Sequence, residues 1–194
     1  MSLAIISVMK AGVLALQGDF REHTAVLDDL GASPVLVRTA EDLSEVDCLA
    51  IPGGESTTIG RLARIHGLVE PIRERAADGM PVLGTCAGMI VMAKEVGGGE
   101  PLLSLMDVRV ARNAYGRQVD SFEAEVPLRG EDQPVRAVFI RAPVVERLGE
   151  GVEVLAELEG RPVVVEEGRL LAAAFHPELA GDPRLHRRLL EKVG

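Results

Sequence analysis

Short apolar segments alternate with amphipathic segments through the first half of the chain, and this alternation restricts the fold more than any other feature. Apolar runs that predict buried strands occupy residues 11–16, 34–37, 47–51 and 81–83. The segments between them place apolar residues at helical spacing and predict helices at residues 19–30 and 68–77, and between Ser56 and His66. Strand–helix–strand repeats of this kind favour a parallel sheet covered by helices on both faces. In such sheets the functional site lies at the carboxyl ends of the strands.

The pattern changes after the three glycines at positions 97–99. The second half is predicted to contain strands with few helices between them, and Glu167-Gly168 is typical of a hairpin turn. These strands are predicted at residues 108–111, 121–126, 135–140, 152–158, 163–166 and 170–175. We therefore expect an α/β fold of three layers, with a mostly parallel central sheet, helices on both faces and an antiparallel extension in the second half. A last helix is predicted to begin at Asp182-Pro183.

The chain has 194 residues, of which 47% are hydrophobic, and this suits one globular domain. We expect that domain at residues 9–194, because a second methionine, Met9, directly precedes the first strand. Residues 1–8 have no basic segment and no signal-peptide cleavage pattern. They are interpreted as an N-terminal extension that arises from cloning or from the choice of start codon.

Charge and cysteine content narrow the class of protein. The formal net charge of −9 argues against nucleic acid or an anionic membrane as the main partner. No apolar run approaches the length of a membrane-spanning helix. Two cysteines are too few for a disulfide framework, and we expect free thiols in a reducing, cytoplasmic compartment.

The segment G-T-C-A-G at residues 84–88 precedes a helix predicted over residues 87–96. It has the G-x-C-x-G pattern of a nucleophile elbow, in which the chain turns sharply from strand to helix with Cys86 at the apex. Gly84 and Gly88 remove the side chains that would collide in such a turn. A cysteine at a helix N-terminus faces unpaired N–H groups and the positive end of the helix dipole, and both favour the thiolate. Cys86 is therefore a candidate nucleophile; the alternative is a small buried cysteine in a glycine-rich turn.

A nucleophilic cysteine needs a base, and the base needs a group that orients it. His176 directly follows a predicted strand and precedes Pro177 and Glu178. Proline favours an extended backbone, in which residues i and i+2 project to the same side. Glu178 is then expected to hold the His176 ring while the other ring nitrogen faces Cys86, which completes a catalytic triad. The alternative is a structural histidine at the end of a strand.

The other three histidines have simpler interpretations. His23 and His66 lie on the inner faces of predicted amphipathic helices, where a partly buried, hydrogen-bonded histidine is expected. His186 lies beside Arg187 and Arg188 in the last predicted helix, and we expect it to be solvated.

Backbone N–H groups are expected to form an oxyanion hole beside Cys86. The first candidate is the N–H of Ala87, the residue after the nucleophile. The second comes from Gly53-Gly54, because a chain without side chains can bring its N–H groups close to a reacting carbonyl. Ser56 is predicted to cap the helix that follows. Gln17 lies at the same edge of the sheet and is expected to help shape the hole.

Three of these segments, P-G-G-E, G-x-C-x-G and H-P-E, occur in an order that resembles the class I, triad-type glutamine amidotransferases. The sequence is more closely similar to the glutaminase subunits of pyridoxal 5'-phosphate synthases, across essentially the whole chain from Met9 onward. That resemblance rests on G-V-L-A-L-Q-G (12–18), P-G-G-E-S-T-T (52–58), G-T-C-A-G-M-I (84–90), R-N-A-Y-G-R-Q (112–118), I-R-A-P (140–143) and F-H-P-E-L (175–179).

The resemblance implies a role for each matching residue. Cys86 is the nucleophile, His176 the base and Glu178 the residue that orients the base. The residues implied to hold glutamine are Gly54, Glu55, Ser56, Arg112, Ile140 and Arg141.

The chemistry of glutamine agrees with this set. Its α-carboxylate needs a cation, which Arg112 and Arg141 can supply, and arginine binds carboxylates through two parallel hydrogen bonds. Its α-ammonium needs acceptors, which Glu55 or backbone carbonyls can supply.

The resemblance further implies hydrolysis of L-glutamine to L-glutamate and ammonia through a thioester, with no metal and no organic cofactor. In that family the ammonia passes to a (β/α)₈ barrel, the synthase subunit that makes pyridoxal 5'-phosphate, so a partner of this kind is expected. Low activity in isolation is expected too, with the Gly53-Gly54 loop completed on docking. Two other classes stay open: a stand-alone thiol hydrolase or chaperone-like protein on the same fold, and a non-catalytic flavodoxin-like binding module with a structural Cys86.

Overall fold

A computed structural model of the chain describes residues 8–112 and 121–194, and these form strands and helices that alternate in the first half. The strands are β1, Lys10–Leu14; β2, Ser33–Val37; β3, Cys48–Ile51; β4, Val82–Thr85; β5, Ala93–Gly97; β6, Met106–Ala111; β7, Ser121–Val126; β8, Val135–Ile140; β9, Val144–Leu148; β10, Glu153–Leu158; β11, Arg161–Glu167; and β12, Leu170–Ala173. The helices are α1, Phe20–Asp29; α2, Ala40–Ser44; α3, Ser56–Ile65; α4, Val69–Ala77; α5, Ala87–Met92; and α6, Arg184–Glu191. A 3-10 helix covers Glu178–Ala180.

Seven strands form the main sheet, in the order β10-β11-β12-β4-β3-β1-β2. From β2 to β12 each neighbouring pair is parallel. Strands β3 and β4 are buried at every residue, as expected for short apolar strands covered on both faces. Crossovers between parallel strands are right-handed as a rule, and with this strand order the rule puts α1 on one face and α2, α3 and α4 on the other. The predicted three-layer, mostly parallel α/β fold is confirmed.

An antiparallel edge completes this sheet. Strand β10 pairs with β11, and β11 pairs with β12, both antiparallel. Gly168 makes the turn between β11 and β12 with a φ of 59°, a conformation that favours glycine. Because β12 also pairs in parallel with β4, the hairpin attaches the antiparallel edge directly to the strand that precedes Cys86.

The remaining strands form two small sheets, β5-β6-β9 and β7-β8. The prediction of one helix over residues 87–96 is wrong in its second half, because α5 ends at Met92 and Ala93–Gly97 is strand β5. Ala93 and Val96 are buried, while Lys94 and Glu95 between them are exposed. The chain extends there because β5 pairs with β6, a contact that the local spacing of apolar residues does not reveal.

Both ends of α3 also differ from the prediction. Glu55, and not Ser56, caps α3, and its carboxylate accepts hydrogen bonds from the N–H groups of Thr57 and Thr58. His66 follows the last residue of α3 and is exposed, so the predicted buried face ends one turn earlier than expected.

Neither cysteine forms a disulfide. Cys48 and Cys86 are both free and both buried. Within residues 8–112 and 121–194, no helix combines the length and the hydropathy that crossing a membrane requires.

Candidate active site

Cys86 occupies a strained turn between β4 and α5. Its φ of 50° and ψ of −105° are unusual for a residue with a side chain. The turn is possible because of its glycines: a Cβ on Gly84 would lie 2.7 Å from the carbonyl carbon of Gly88, and a Cβ on Gly88 would lie 2.1 Å from the carbonyl oxygen of Ile51. The backbone N–H of Cys86 donates to the carbonyl of Ala173 on β12. The elbow therefore holds the thiol at the carboxyl end of the sheet.

A cavity of about 400 Å³ opens at this point. Its walls contain every residue that the family resemblance assigned to catalysis or to glutamine binding except Glu178. The lining residues are Gln17, Asp19, Gly54, Glu55, Ser56, Cys86, Ala87, Ile90, Arg112, Ile140, Arg141 and His176. Loops that follow β1, β3 and β4 thus meet at one edge of the sheet, together with the end of β8.

His176 faces this cavity with its ring held from behind. Its Nδ1 hydrogen-bonds Oε1 of Glu178 at 2.7 Å, and both side chains are buried. The backbone N–H of His176 donates to the carbonyl of Val138 on β8. The predicted extended backbone is wrong at Pro177, whose φ of −65° and ψ of −31° begin a turn into the 3-10 helix. The contact between ring and carboxylate forms through this turn.

The charges of His176 and Glu178 shift each other's protonation towards the ionised forms. Burial alone would lower the pKa of His176, but hydrogen bonds and charges from Cys86 and Glu178 outweigh it and raise that pKa. Burial alone would raise the pKa of Glu178, but His23 and His176 outweigh it and lower that pKa. The geometry therefore favours an ionised Glu178 and a protonated His176 beside the sulfur. The Sγ of Cys86 also lies 3.6 Å from the carbonyl oxygen of Ile140.

Asp19 is a second acid at the same ring, and sequence reasoning did not select it. Its Oδ2 lies 3.3 Å from Nδ1 of His176. Burial raises the pKa of Asp19, the charge of His176 opposes this, and the charge of Glu178 adds to it.

Ligand atoms of Asp19, His176 and Glu178 lie within 4.8 Å of one another, a spacing that could hold a metal ion. A metal bound to Nδ1 of His176 would displace the hydrogen bond to Glu178. The donor set therefore fits a hydrogen-bonded histidine better than a metal centre.

The Gly53-Gly54 loop is fastened to the chain that follows β1. The N–H of Asp19 donates to the carbonyl of Gly53, and the N–H of Glu55 donates to Oε1 of Gln17 at 2.7 Å. A Cβ on Gly18 would lie 1.7 Å from that same Gly53 carbonyl oxygen. These contacts hold the loop against the segment that follows β1.

We expect Gly53→Ala to reduce the turnover number by about 100-fold or more, since misplacing a catalytic group by about 1 Å has effects of this size. The added Cβ would lie 2.2 Å from Cε1 and 2.8 Å from Nδ1 of His176, so the ring must move. Steady-state assays at saturating substrate, with thermal unfolding as the check on folding, measure the effect. Gly97→Ala is the matched control, because its Cβ would make an ordinary 3.6 Å contact with Ala111. Equal activities of the two variants would contradict the prediction.

The charged residues of the cavity have different surroundings. Nη1 of Arg112 lies 3.3 Å from Oγ1 of Thr57, and its buried Nε has no hydrogen-bond partner among the described residues. Arg141 is exposed at the cavity and has a φ of 43°. The carboxylate of Glu55 is engaged in capping α3, and hydrogen bonds led by that of Thr58 lower its pKa to about 2. The part of the R-N-A-Y-G-R-Q motif at residues 113–118 lies outside the described residues.

Comparison with known proteins gives consistent matches over nearly the whole chain. A model of the SNO glutamine amidotransferase family matches residues 13–194. A pyridoxal 5'-phosphate synthase subunit PdxT from Frankia casuarinae is 56% identical over 188 residues, which are 95% of this chain and 94% of the relative. A protein of the same name from Pelotomaculum thermopropionicum is 57% identical over 187 residues, which are 95% of each chain.

Two solved structures are similar in fold to this chain. A crystal structure described as a glutamine amidotransferase superposes with a TM-score of 0.91 at 52% identity and covers 95% of this chain and 98% of its own. The structure of PurLQS from Thermotoga maritima has a TM-score of 0.73 at 15% identity, with 96% of this chain and 99% of its own covered, and shares the fold.

Proposed function

The chain belongs to the SNO glutamine amidotransferase family, and on that premise we propose that it hydrolyses L-glutamine to L-glutamate and ammonia as the glutaminase subunit of a pyridoxal 5'-phosphate synthase. The resemblance that the sequence motifs indicated is confirmed by this membership. One observation carries the proposed reaction: the cavity that contains Cys86 also contains His176, whose ring is held by a buried carboxylate. This arrangement suits nucleophilic attack on an amide.

The first half of the reaction forms a thioester. The thiolate of Cys86 attacks the side-chain amide carbon of glutamine, and the carbonyl oxygen becomes an oxyanion. Backbone N–H groups of Ala87 and Gly54 stabilise that charge; loss of one such donor commonly reduces turnover by about 10²–10³-fold. The C–N bond then breaks, and the leaving ammonia takes its proton from the imidazolium of His176.

The second half restores the enzyme. Neutral His176 accepts a proton from water as the water attacks the thioester, and a second oxyanion forms in the same hole. The C–S bond breaks, glutamate leaves, and the thiolate is regenerated beside a protonated ring. Glu178 remains ionised throughout and stabilises the imidazolium. This chemistry requires no metal and no organic cofactor.

In this proposal the charged residues of the cavity bind the α-carboxylate and α-ammonium groups of glutamine. Arg112 and Arg141 attract the α-carboxylate, and the buried Nε of Arg112 has no hydrogen-bond partner among the described residues. Gly54, Ser56 and Ile140 line the same cavity as Cys86. The oxygens of Glu55 already cap α3, so this residue attracts the α-ammonium group through its negative charge and not through a direct hydrogen bond.

Arg112→Ala is expected to raise KM for glutamine by about 10- to 100-fold, the range for loss of one charge-assisted contact. The rate at which iodoacetamide modifies Cys86 should change little, because the elbow and His176 are untouched. Arg129→Ala provides the control, since this exposed arginine pairs with Glu153 and does not line the cavity. An unchanged KM in Arg112→Ala would remove this residue from the binding site.

The partner in this proposal is the synthase subunit that consumes the ammonia. Ammonia released into water becomes ammonium, which is not a nucleophile, so delivery requires a docked acceptor. We place residues 9–194 in one glutaminase domain, with residues 1–8 as an extension. Two free cysteines fit a reducing, cytoplasmic compartment.

The experiment that tests the proposal is a glutaminase assay with and without the pyridoxal 5'-phosphate synthase barrel. We expect slow ammonia release from the chain alone and a large increase on adding the barrel, because docking completes the Gly53-Gly54 loop. Other primary amides should remain poor substrates. Turnover of those amides, without turnover of glutamine in the presence of the barrel, would instead indicate a stand-alone thiol hydrolase.

A further inference from the structure

A chain of buried polar side chains continues behind Glu178, away from the cavity. Nε2 of His23 lies 3.5 Å from Oε1 of Glu178 and 3.0 Å from Oγ1 of Thr85. Nδ1 of His23 lies 2.8 Å from Nε2 of His186. None of His23, Thr85 and His186 has any exposed surface, and the prediction that His186 is solvated is wrong. His186 is buried because α6 packs its inner face on the sheet beside α1.

Hydrogen-bond chemistry fixes which nitrogen of His23 carries a proton. A bare Nε2 would direct its lone pair at the carboxylate of Glu178, and this contact is repulsive. Nε2 therefore bears a hydrogen, and this N–H donates to both Glu178 and Thr85. The neutral ring then accepts from Nε2–H of His186 at its Nδ1. In this arrangement every buried N–H of the two rings has an acceptor. Nδ1 of His186 has no partner among the described residues, and here it carries a lone pair and no proton.

The carboxylate of Glu178 depends on few donors. Its Oε1 faces both His176 and His23, and its Oε2 is buried without a hydrogen-bond partner among the described residues. A buried carboxylate with so few donors loses much of its stabilisation when one is removed. The other charged groups near it are Asp19, on the cavity side, and Asp182, whose charge acts on His186.

We infer that His23 is a positioning residue for the reaction: it holds Glu178 ionised and oriented towards His176, and His186 fixes the tautomer of His23. The inference rests on the proposed glutaminase reaction and extends its triad by two buried rings. A neutral His186 agrees with its surroundings, since burial lowers the pKa of that ring to about 3. The chain of contacts runs from Cys86 through His176 and Glu178 to His23, with helix α1 as its rigid support.

The test compares two substitutions at one position. His23→Leu fills the site without a donor, whereas His23→Gln places an amide N–H near the position of Nε2. We expect His23→Leu to lower kcat by about 10- to 100-fold, the range for groups that orient a catalytic residue from behind, with KM changed less than about threefold. His23→Gln should recover most of the rate. Leu27→Ala is the control for packing, because Leu27 is an apolar, fully buried residue of the same helix and can donate no hydrogen bond from its side chain.

The decisive readout is the rate at which iodoacetamide alkylates Cys86 between about pH 5 and pH 10. Without the donor, Glu178 protonates more readily, the His176 imidazolium loses its counter-charge and the thiolate forms less readily. The acidic limb of the profile should therefore move to higher pH by about one unit in His23→Leu and not in Leu27→Ala. An acidic limb at the same pH in every variant and in the wild type would overturn the inference. Equal losses of kcat in His23→Leu, His23→Gln and Leu27→Ala, in proportion to their melting temperatures, would overturn it as well. Alkylation of Cys86 needs no glutamine, so it tests the role of His23 independently of whether the wild-type protein hydrolyses glutamine.

Discussion

Replacing Cys86 with alanine is expected to reduce ammonia release from glutamine to background, a loss of at least about 10⁴-fold, while the protein still binds glutamine. Losses of this size follow removal of the nucleophile from an enzyme that works through a covalent intermediate. Alanine lacks only the sulfur, and the contacts that hold the elbow, among them the N–H of residue 86 bonded to the Ala173 carbonyl, remain possible. Ammonia release is measured in the presence of the synthase barrel, and glutamine binding by calorimetry.

Cys48→Ala is the matched control, because the chain contains two cysteines and both are buried. Cys48 lies in the interior strand β3, where burial raises the pKa of its thiol to about 12 and keeps it inert. Its replacement is expected to lower stability through a small cavity and to leave turnover intact. Mass spectrometry after treatment with a glutamine-like diazo-ketone should find the label on Cys86 alone. Residual turnover of Cys86→Ala close to that of the wild type would falsify the nucleophile assignment.

The sequence predicted strands best where neighbouring residues determine them. The segments 121–126 and 135–140 match β7 and β8 at both ends, because their apolar residues and flanking turns are local signals. Strand β9, Val144–Leu148, and strand β5 were missed. Both belong to the small sheet around β6, so their pairing partners, and not their own composition, determine their conformation.

The site residues, like the strands, were predicted where a local sequence pattern identifies them and missed where only distant contacts do. Cys86 and the Gly53-Gly54 loop follow buried strands, and the topology of a parallel sheet places such segments at one edge. His23 and His186 touch although they are 163 residues apart, and no local pattern distinguishes them from ordinary helix residues. Asp19 was missed for the same reason. The hydrogen bond from His176 to Glu178 was expected from an extended backbone, yet it forms through a turn at Pro177.

His176→Asn is expected to lower turnover by at least about 10⁴-fold without unfolding the protein. The asparagine amide can still donate to Glu178 in place of Nδ1, so the buried carboxylate keeps that hydrogen bond. No group remains at the position of Nε2 to give a proton to the leaving ammonia or to take one from water. Single-turnover assays separate the two halves of the reaction, and thermal unfolding reports the effect on folding.

The pH dependence distinguishes a catalytic His176 from a structural one. Its folded-state pKa is raised, so the stability gained from the imidazolium is complete below the ordinary pKa of about 6.5 and is lost as the pH rises through the folded value. The stability difference between wild type and His176→Asn should therefore be largest in mild acid and shrink in alkali. Alkylation of Cys86 at neutral pH should become much slower in the variant, because the thiolate loses its cation. A melting temperature that falls in proportion to activity at every pH, with the alkylation rate of Cys86 unchanged, would assign His176 to the fold and leave the thiol without its base.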